Sequence, residues 1–170
     1  MVCLPAVSAF ARAAPAVDAA VVERHLHLIS THTGEELDAR YFSDGAYNPE
    51  QLVALNRLLR DHRTGDIHAM DPKLFDLMHE LALAAGREPR YEIISGYRSP
   101  ATNAKLAAAS RGVASNSLHM QGRAIDVRLV GLRAIALKDL ALARQIGGVG
   151  SYPVPDFVHL DTGRVRSWSG

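Results

Sequence analysis

The sequence predicts an α+β fold: a single domain with a mostly antiparallel sheet flanked by helices. Two periodicities carry that expectation, since some stretches alternate apolar and polar residues as strands do, while others repeat leucines at helical spacing. A third observation is that no internal repeat or low-complexity linker divides the chain. Its 170 residues, 48% of them hydrophobic, suffice for one ordinary core and would stretch thin over two.

The first twenty residues, MVCLPAVSAFARAAPAVDAA, are small and apolar. They contain Ala9-Phe10-Ala11 and Ala11-Arg12-Ala13, which look like A-x-A cleavage sites, but no positive n-region precedes them. Residues 1–20 are therefore read as a shortened export signal or leader, with Cys3 incidental to it, and residues 21–170 as the folded domain. VVERHLHLISTHTGEELDARYF alternates on both sides of Thr33-Gly34 and predicts a β-hairpin. His25 and His27 share one face of its first strand, a placement that suits a surface pair better than a metal site. Asn48-Pro49-Glu50 reads as an N-cap followed by proline at the first helical position, and Leu52, Leu55, Leu58 and Leu59 continue at helical spacing. A second helix is expected after Asp71-Pro72, with Leu74, Leu77, Met78, Leu81 and Leu83 as its apolar stripe, ending near Gly86. His62, His68 and His79 are taken as solvated histidines on polar faces or in turns.

Tyr91 to Ser95 predicts a short strand that stops at Gly96 and leads into a loop bearing Arg98. The alanine-rich ATNAKLAAASRG predicts a helix ending at Gly112. From Ala124 to Leu129 a strand is expected, with Ile125, Val127 and Leu129 on one face and Asp126 on the other. Leu132 to Gln145 reads as a helix closed by the Gly-rich IGGVGSYPVP, and FVHLDTG as a last strand with Phe157, His159 and Asp161 on one face.

Charge narrows the partners. Nineteen Lys and Arg against eighteen Asp and Glu leave a net +1, so no overall field draws the chain to nucleic acid. No apolar run reaches the roughly 18 residues of a membrane span. With one cysteine there is no internal disulfide and no paired thiolate zinc site, so any metal must be held by His and carboxylate.

Two segments concentrate such residues: SLHMQGRAID, with Ser117, His119 and Asp126, and DFVHLD, with Asp156, His159 and Asp161. A polar group on an inward strand face is costly unless paired or ligated. Either segment alone is compatible with a buried His–Asp hydrogen-bonded pair. Together, two imidazoles and one carboxylate make a three-ligand set that leaves zinc a fourth position for water, the arrangement of catalytic zinc sites. Zinc lowers the pKa of water from about 15.7 to near 7. Asp156, three residues before His159, is the candidate general base, provided the turn into the strand brings it to the water. Arg98 is either a cation for the developing oxyanion or for a substrate carboxylate, or a surface loop arginine.

The ordered signature S-G-Y-R-S, S-x-H-x-x-G-x-A-x-D and a later histidine resembles the D-alanyl-D-alanine metallopeptidases, which include zinc D,D-carboxypeptidases, VanX-type D,D-dipeptidases and the hedgehog signalling domain. The run from THTGE through SGYRSPATNAKL and SLHMQGRAIDVRL to GGVGSYPVPDFVHLDTGRVRSW is most similar to the YcbK-like murein endopeptidases, and the likeness spans roughly residues 24 to 168. It implies a hedgehog/D,D-peptidase-like zinc fold and one Zn2+ on His119, Asp126 and His159. It further implies Asp156 as base, Arg98 as the arginine that stabilises the transition state, Ser117 in a local hydrogen-bonding role and Asp161 orienting a ligand imidazole. Where this chain has Asp156, the VanX-type enzymes carry glutamate. Trp168 is read as a packing residue rather than a substrate platform. The activity implied is hydrolysis of D-amino-acid cross-links in peptidoglycan peptide stems, D,D or L,D, by a monomeric periplasmic or exported enzyme. The alternatives are a D,D-carboxypeptidase or dipeptidase acting on small stem peptides, and a non-catalytic zinc module that binds the wall.

Overall fold

The computed structural model describes residues 23–110 and 113–170; the expected leader and the expected helix end at Gly112 lie outside them. Among the described residues, eight strands and four α-helices follow in the order β1 (Arg24–Ser30), β2 (Glu36–Ser43), β3 (Ala46–Tyr47), α1 (Pro49–Leu58), α2 (Pro72–Ala84), β4 (Arg90–Ser95), α3 (Pro100–Ala109), β5 (Ala124–Leu129), α4 (Ala134–Arg144), β6 (Gly148–Tyr152), β7 (Phe157–Asp161) and β8 (Arg166–Ser169). A short 3-10 helix, Leu118–Gln121, lies between α3 and β5. All eight strands form one sheet in the order β3-β2-β1-β4-β5-β7-β6-β8. Pairing is parallel only between β1 and β4 and between β6 and β8, so the sheet is mostly antiparallel as expected.

Local chemistry sets three helix starts in the same way. Asn48, Asp71 and Ser99 each precede a proline, and each side chain accepts a hydrogen bond from a backbone N–H of the first turn. The proline at the first helical position gives up no bond, because that N–H has no partner inside the helix. Helix α4 has no such side chain at its own N-cap, Arg133.

One face of the sheet is the core. Leu26 and Leu28 from β1, Tyr41 from β2, Ile125 and Val127 from β5, and Val158 and Leu160 from β7 are all fully buried against apolar residues of α1, α2 and α4. Three details depart from the expectations. Leu83 is 60% exposed rather than part of the α2 stripe, while Phe75 and Ala82 are buried in its place. His79 is not solvated: it lies 8% exposed with Nδ1 hydrogen-bonded to the His25 carbonyl, because α2 packs its flank onto β1. The GVGSY part of the Gly-rich run is a strand, β6, paired on both edges by β7 and β8. Among the described residues, no helix is long and apolar enough to cross a membrane.

Candidate metal centre

The side opposite the core holds a cavity of about 420 Å³, and His119, Asp126 and His159 line it. Strand alternation puts them there. Asp126 sits between buried Ile125 and Val127, and His159 between buried Val158 and Leu160, so both polar side chains must point away from the core. The two residues are direct cross-strand partners in the β5–β7 ladder.

His119 arrives from outside the sheet on the 3-10 helix. Ser117 caps that helix, its Oγ accepting from His119 N, and Gly122 ends it in the left-handed region at φ 65°. A Cβ at Gly122 would collide with the Ala69 carbonyl, so glycine is required there by both backbone and space. The loop carrying Arg98 is held in turn: a Cβ at Gly96 would strike Leu59, and the Gly96 carbonyl meets His119 Nδ1 at 2.8 Å.

The donors converge. His119 Nε2 and His159 Nδ1 are 3.2 Å apart, and Asp126 Oδ1 lies 2.8 Å from the latter and 3.3 Å from the former. Ligand bonds of 2.0–2.2 Å in tetrahedral geometry space donor atoms by roughly 3.3 Å, so this triad suits a zinc-sized ion. The far nitrogens support the same reading. His119 Nδ1 faces the Gly96 carbonyl and His159 Nε2 faces Asp161 Oδ2 at 3.1 Å, so each ring has an acceptor for its far N–H when its inward nitrogen turns a lone pair to a cation. Such a group can hold a cation.

The ionisation of the same residues follows. Burial pushes the Asp126 carboxyl up, but the positive fields and hydrogen bonds of His119 and His159 outweigh it and hold it far below the usual carboxylate range. Burial would likewise lower His159, yet hydrogen bonds with Asp126 and Asp161 raise it to about 9. Asp161 is fully buried and well below its ordinary value, because His159, Arg166 and the backbone N–H groups of Gly148 and Gly163 outweigh its desolvation.

Arg98 also lines the cavity, which rules out a free surface loop arginine. Its Nη2 stands 3.7 Å from Asp126 Oδ2, its Nη1 bonds Asn103 Oδ1 at 3.3 Å, and its buried Nε has no partner among the described residues. Burial pulls its pKa down, with Asp126 opposing. Asp156 does not join the group. It lies in the turn before β7, exposed and at φ 52°, and its Oδ1 accepts from Ala134 N at 3.1 Å, at the start of α4. The expected general base thus supplies the cap that α4 lacks. Trp168 packs beside the ligands and also lines the cavity, its ring 5.1 Å from that of His159.

Sequence reasoning missed three supporting groups. Asp61, 2% exposed, accepts from the backbone N–H of Ser99 and of Arg63, each at 2.9 Å, and so anchors the start of α3 behind Arg98. Tyr152 and Arg166 line the cavity. The Arg166-x-Trp168 spacing, two residues apart on a strand, was the available signal for the last.

Comparison with known proteins agrees with this geometry. The family model described as peptidoglycan L,D-endopeptidase MepK matches residues 18–168. The probable peptidoglycan L,D-endopeptidase MepK of Haemophilus influenzae is 43% identical over 148 residues, covering 86% of this chain and 80% of that protein. The peptidoglycan L,D-endopeptidase MepK of Escherichia coli K12 is 43% identical over 145 residues, covering 85% and 80%. No solved structure matches. With nearly the whole chain matched and a His–Asp–His group where a metal is needed, the chain belongs to the peptidoglycan L,D-endopeptidase MepK family of metallopeptidases.

Proposed function

We propose that this chain is a zinc-dependent peptidoglycan endopeptidase, with His119, Asp126 and His159 as the metal ligands and the L,D cross-link named for its relatives as substrate. The single observation behind this reading is the convergence of two imidazole nitrogens and one carboxylate oxygen at the spacing of a three-ligand site that leaves a position open. Zinc bound there would polarise the scissile carbonyl and lower the pKa of water to about 7.

The chain's own groups do the remaining work. Arg98, held by Ser95 and Asn103 and with Nε unengaged, presents a desolvated cation to the negative charge that develops on the carbonyl oxygen. Asp161 fixes the His159 ring, and Ser117 fixes the turn that carries His119. Residues 21–170 form the catalytic domain and residues 1–20 an export signal or flexible leader; the enzyme is periplasmic or exported, and monomeric. Cell-wall sacculi incubated with the zinc-loaded protein should release L,D-linked muropeptides, and a chelator should stop it until zinc is restored. Sacculi whose cross-links survive the zinc-loaded protein would remove the reading.

A further inference from the structure

The sheet continues past the metal ligands into a second row of chemistry. Asp126 pairs with His159, His159 with Gly150, and Gly150 with Trp168, so these four residues lie in one register row across β5, β7, β6 and β8. In the next row Gly148 pairs with Arg166, and its N–H bonds Asp161 Oδ1 at 2.9 Å. Two glycines at alternate positions of β6 leave that strand's face bare. A Cβ at Gly150 would collide with the Trp168 indole, and one at Gly148 with the Arg166 guanidinium and the Asp161 carboxylate. Arg166 and Trp168 therefore lie flat over β6, towards His159.

Their geometry is fixed by neighbours. Arg166 Nη1 and Nη2 grip Asp161 at 3.1 and 2.7 Å, and Nη1 also bonds the Arg164 carbonyl. The guanidinium carbon stands 4.9 Å from the Trp168 ring centroid. Trp168 Nε1 donates to the Tyr152 hydroxyl at 3.1 Å, and Tyr152 stacks on Phe157 at 4.5 Å. Of the five guanidinium N–H groups, Nε–H and the second proton of Nη2 have no partner among the described residues. These two lie on one edge of the planar group, the side-on fork that matches a carboxylate. Asp161 already receives His159 and two backbone N–H groups besides Arg166, so it does not exhaust this cation.

The geometry points to the Arg166–Trp168 shelf as the subsite for a substrate carboxylate next to the scissile bond. Resting on the endopeptidase reading above, the shelf selects acidic stem peptides: Arg166 forks onto the carboxylate, while Trp168 packs beneath the peptide. Arg98 serves the reacting carbonyl and Arg166 the fixed charge beside it, so the two cations have separate tasks. Arg166 is thereby a specificity-determining residue.

Trp168 is the chain's single tryptophan, which gives a readout that needs neither metal nor turnover. Metal-stripped protein is titrated, with Trp168 emission recorded, against a free stem tetrapeptide and against the same peptide with its carboxyl groups amidated. The acidic peptide should bind at least about tenfold more tightly, as expected for losing one charge-assisted fork. Arg166→Gln should bring the two affinities together by weakening only the acidic peptide; Arg166→Lys, which keeps a cation beside Asp161 but loses the fork, should keep only part of the preference. If Arg166→Gln does not fold, Arg166→Lys decides by itself. Equal affinities in the wild type, or a preference unchanged in the variants, overturn the proposal. A role confined to holding Asp161 would weaken both peptides alike. Sacculus digestion is scored separately, so a failed endopeptidase reading with a retained carboxylate preference is told apart from the reverse.

Discussion

The two faces of the sheet at β5 and β7 differ in kind, although their residues alternate along the same strands. Ile125, Val127, Val158 and Leu160 point to the helices and are wholly buried in a close-packed apolar layer. Asp126, His159 and Asp161 point the other way into a polar network in which every far nitrogen or oxygen has a partner. One face is held by volume and the other by charge, so a change on either should register in a different measurement.

The largest expected effect lies on the charged face. Asp126→Asn should abolish metal loading and lower sacculus hydrolysis about a thousandfold or more, since the acidity a metal lends to water goes with it. Thermal unfolding of the metal-free variant should stay cooperative, and a variant that still loads one metal per chain would break the contrast. On the apolar face, Leu160→Ala should cost about 2–5 kcal/mol in denaturant unfolding through the cavity it leaves, while metal per folded chain stays unchanged. Loss of metal from its folded fraction would show that the faces are not independent.

Asp61 sits behind the site and sharpens the comparison. Its replacement by Asn should cost about 1–3 kcal/mol, because the N–H groups of Ser99 and Arg63 lose a charged acceptor. Burial pushes the Asp61 carboxyl up, but hydrogen bonds from Thr102, Ser99 and Arg63 prevail and lower it. A depressed folded pKa means stability that is present above the unfolded value of about 3.9 and lost as pH falls below it. The gap between wild type and Asp61→Asn should therefore be full at neutral pH and close below about pH 4; a gap that widens in acid would contradict this. The smallest effect belongs to Asp156. Asparagine caps helices nearly as well as aspartate, so Asp156→Asn should shift stability by less than about 1 kcal/mol and leave hydrolysis within a factor of about three. A drop of a hundredfold or more would return Asp156 to the reacting centre.

Much of this architecture was legible residue by residue. The hairpin about Thr33-Gly34, the capped starts of α1 and α2, and the opposite faces of β5 and β7 are all written in patterns a few residues long. Strand β6 was not, because glycines weaken strand propensity and this strand exists through the neighbours that pair with it on both edges. His79 was misplaced for a similar reason, since a helix pattern does not say which neighbour covers its flank.

By itself the sequence determined that Asp126 and His159 face away from apolar neighbours, because alternation is a local property of the chain; that His119 stands on a 3-10 turn ended by Gly122 came from the structure. Only the tertiary structure decided that these three meet within hydrogen-bonding reach and which nitrogen of each imidazole is left free. It also turned Asp156 to the start of α4 and laid Arg166 and Trp168 beside the ligands. Those outcomes depend on strand order and register, which are set by how the whole apolar face packs rather than by any short run of residues.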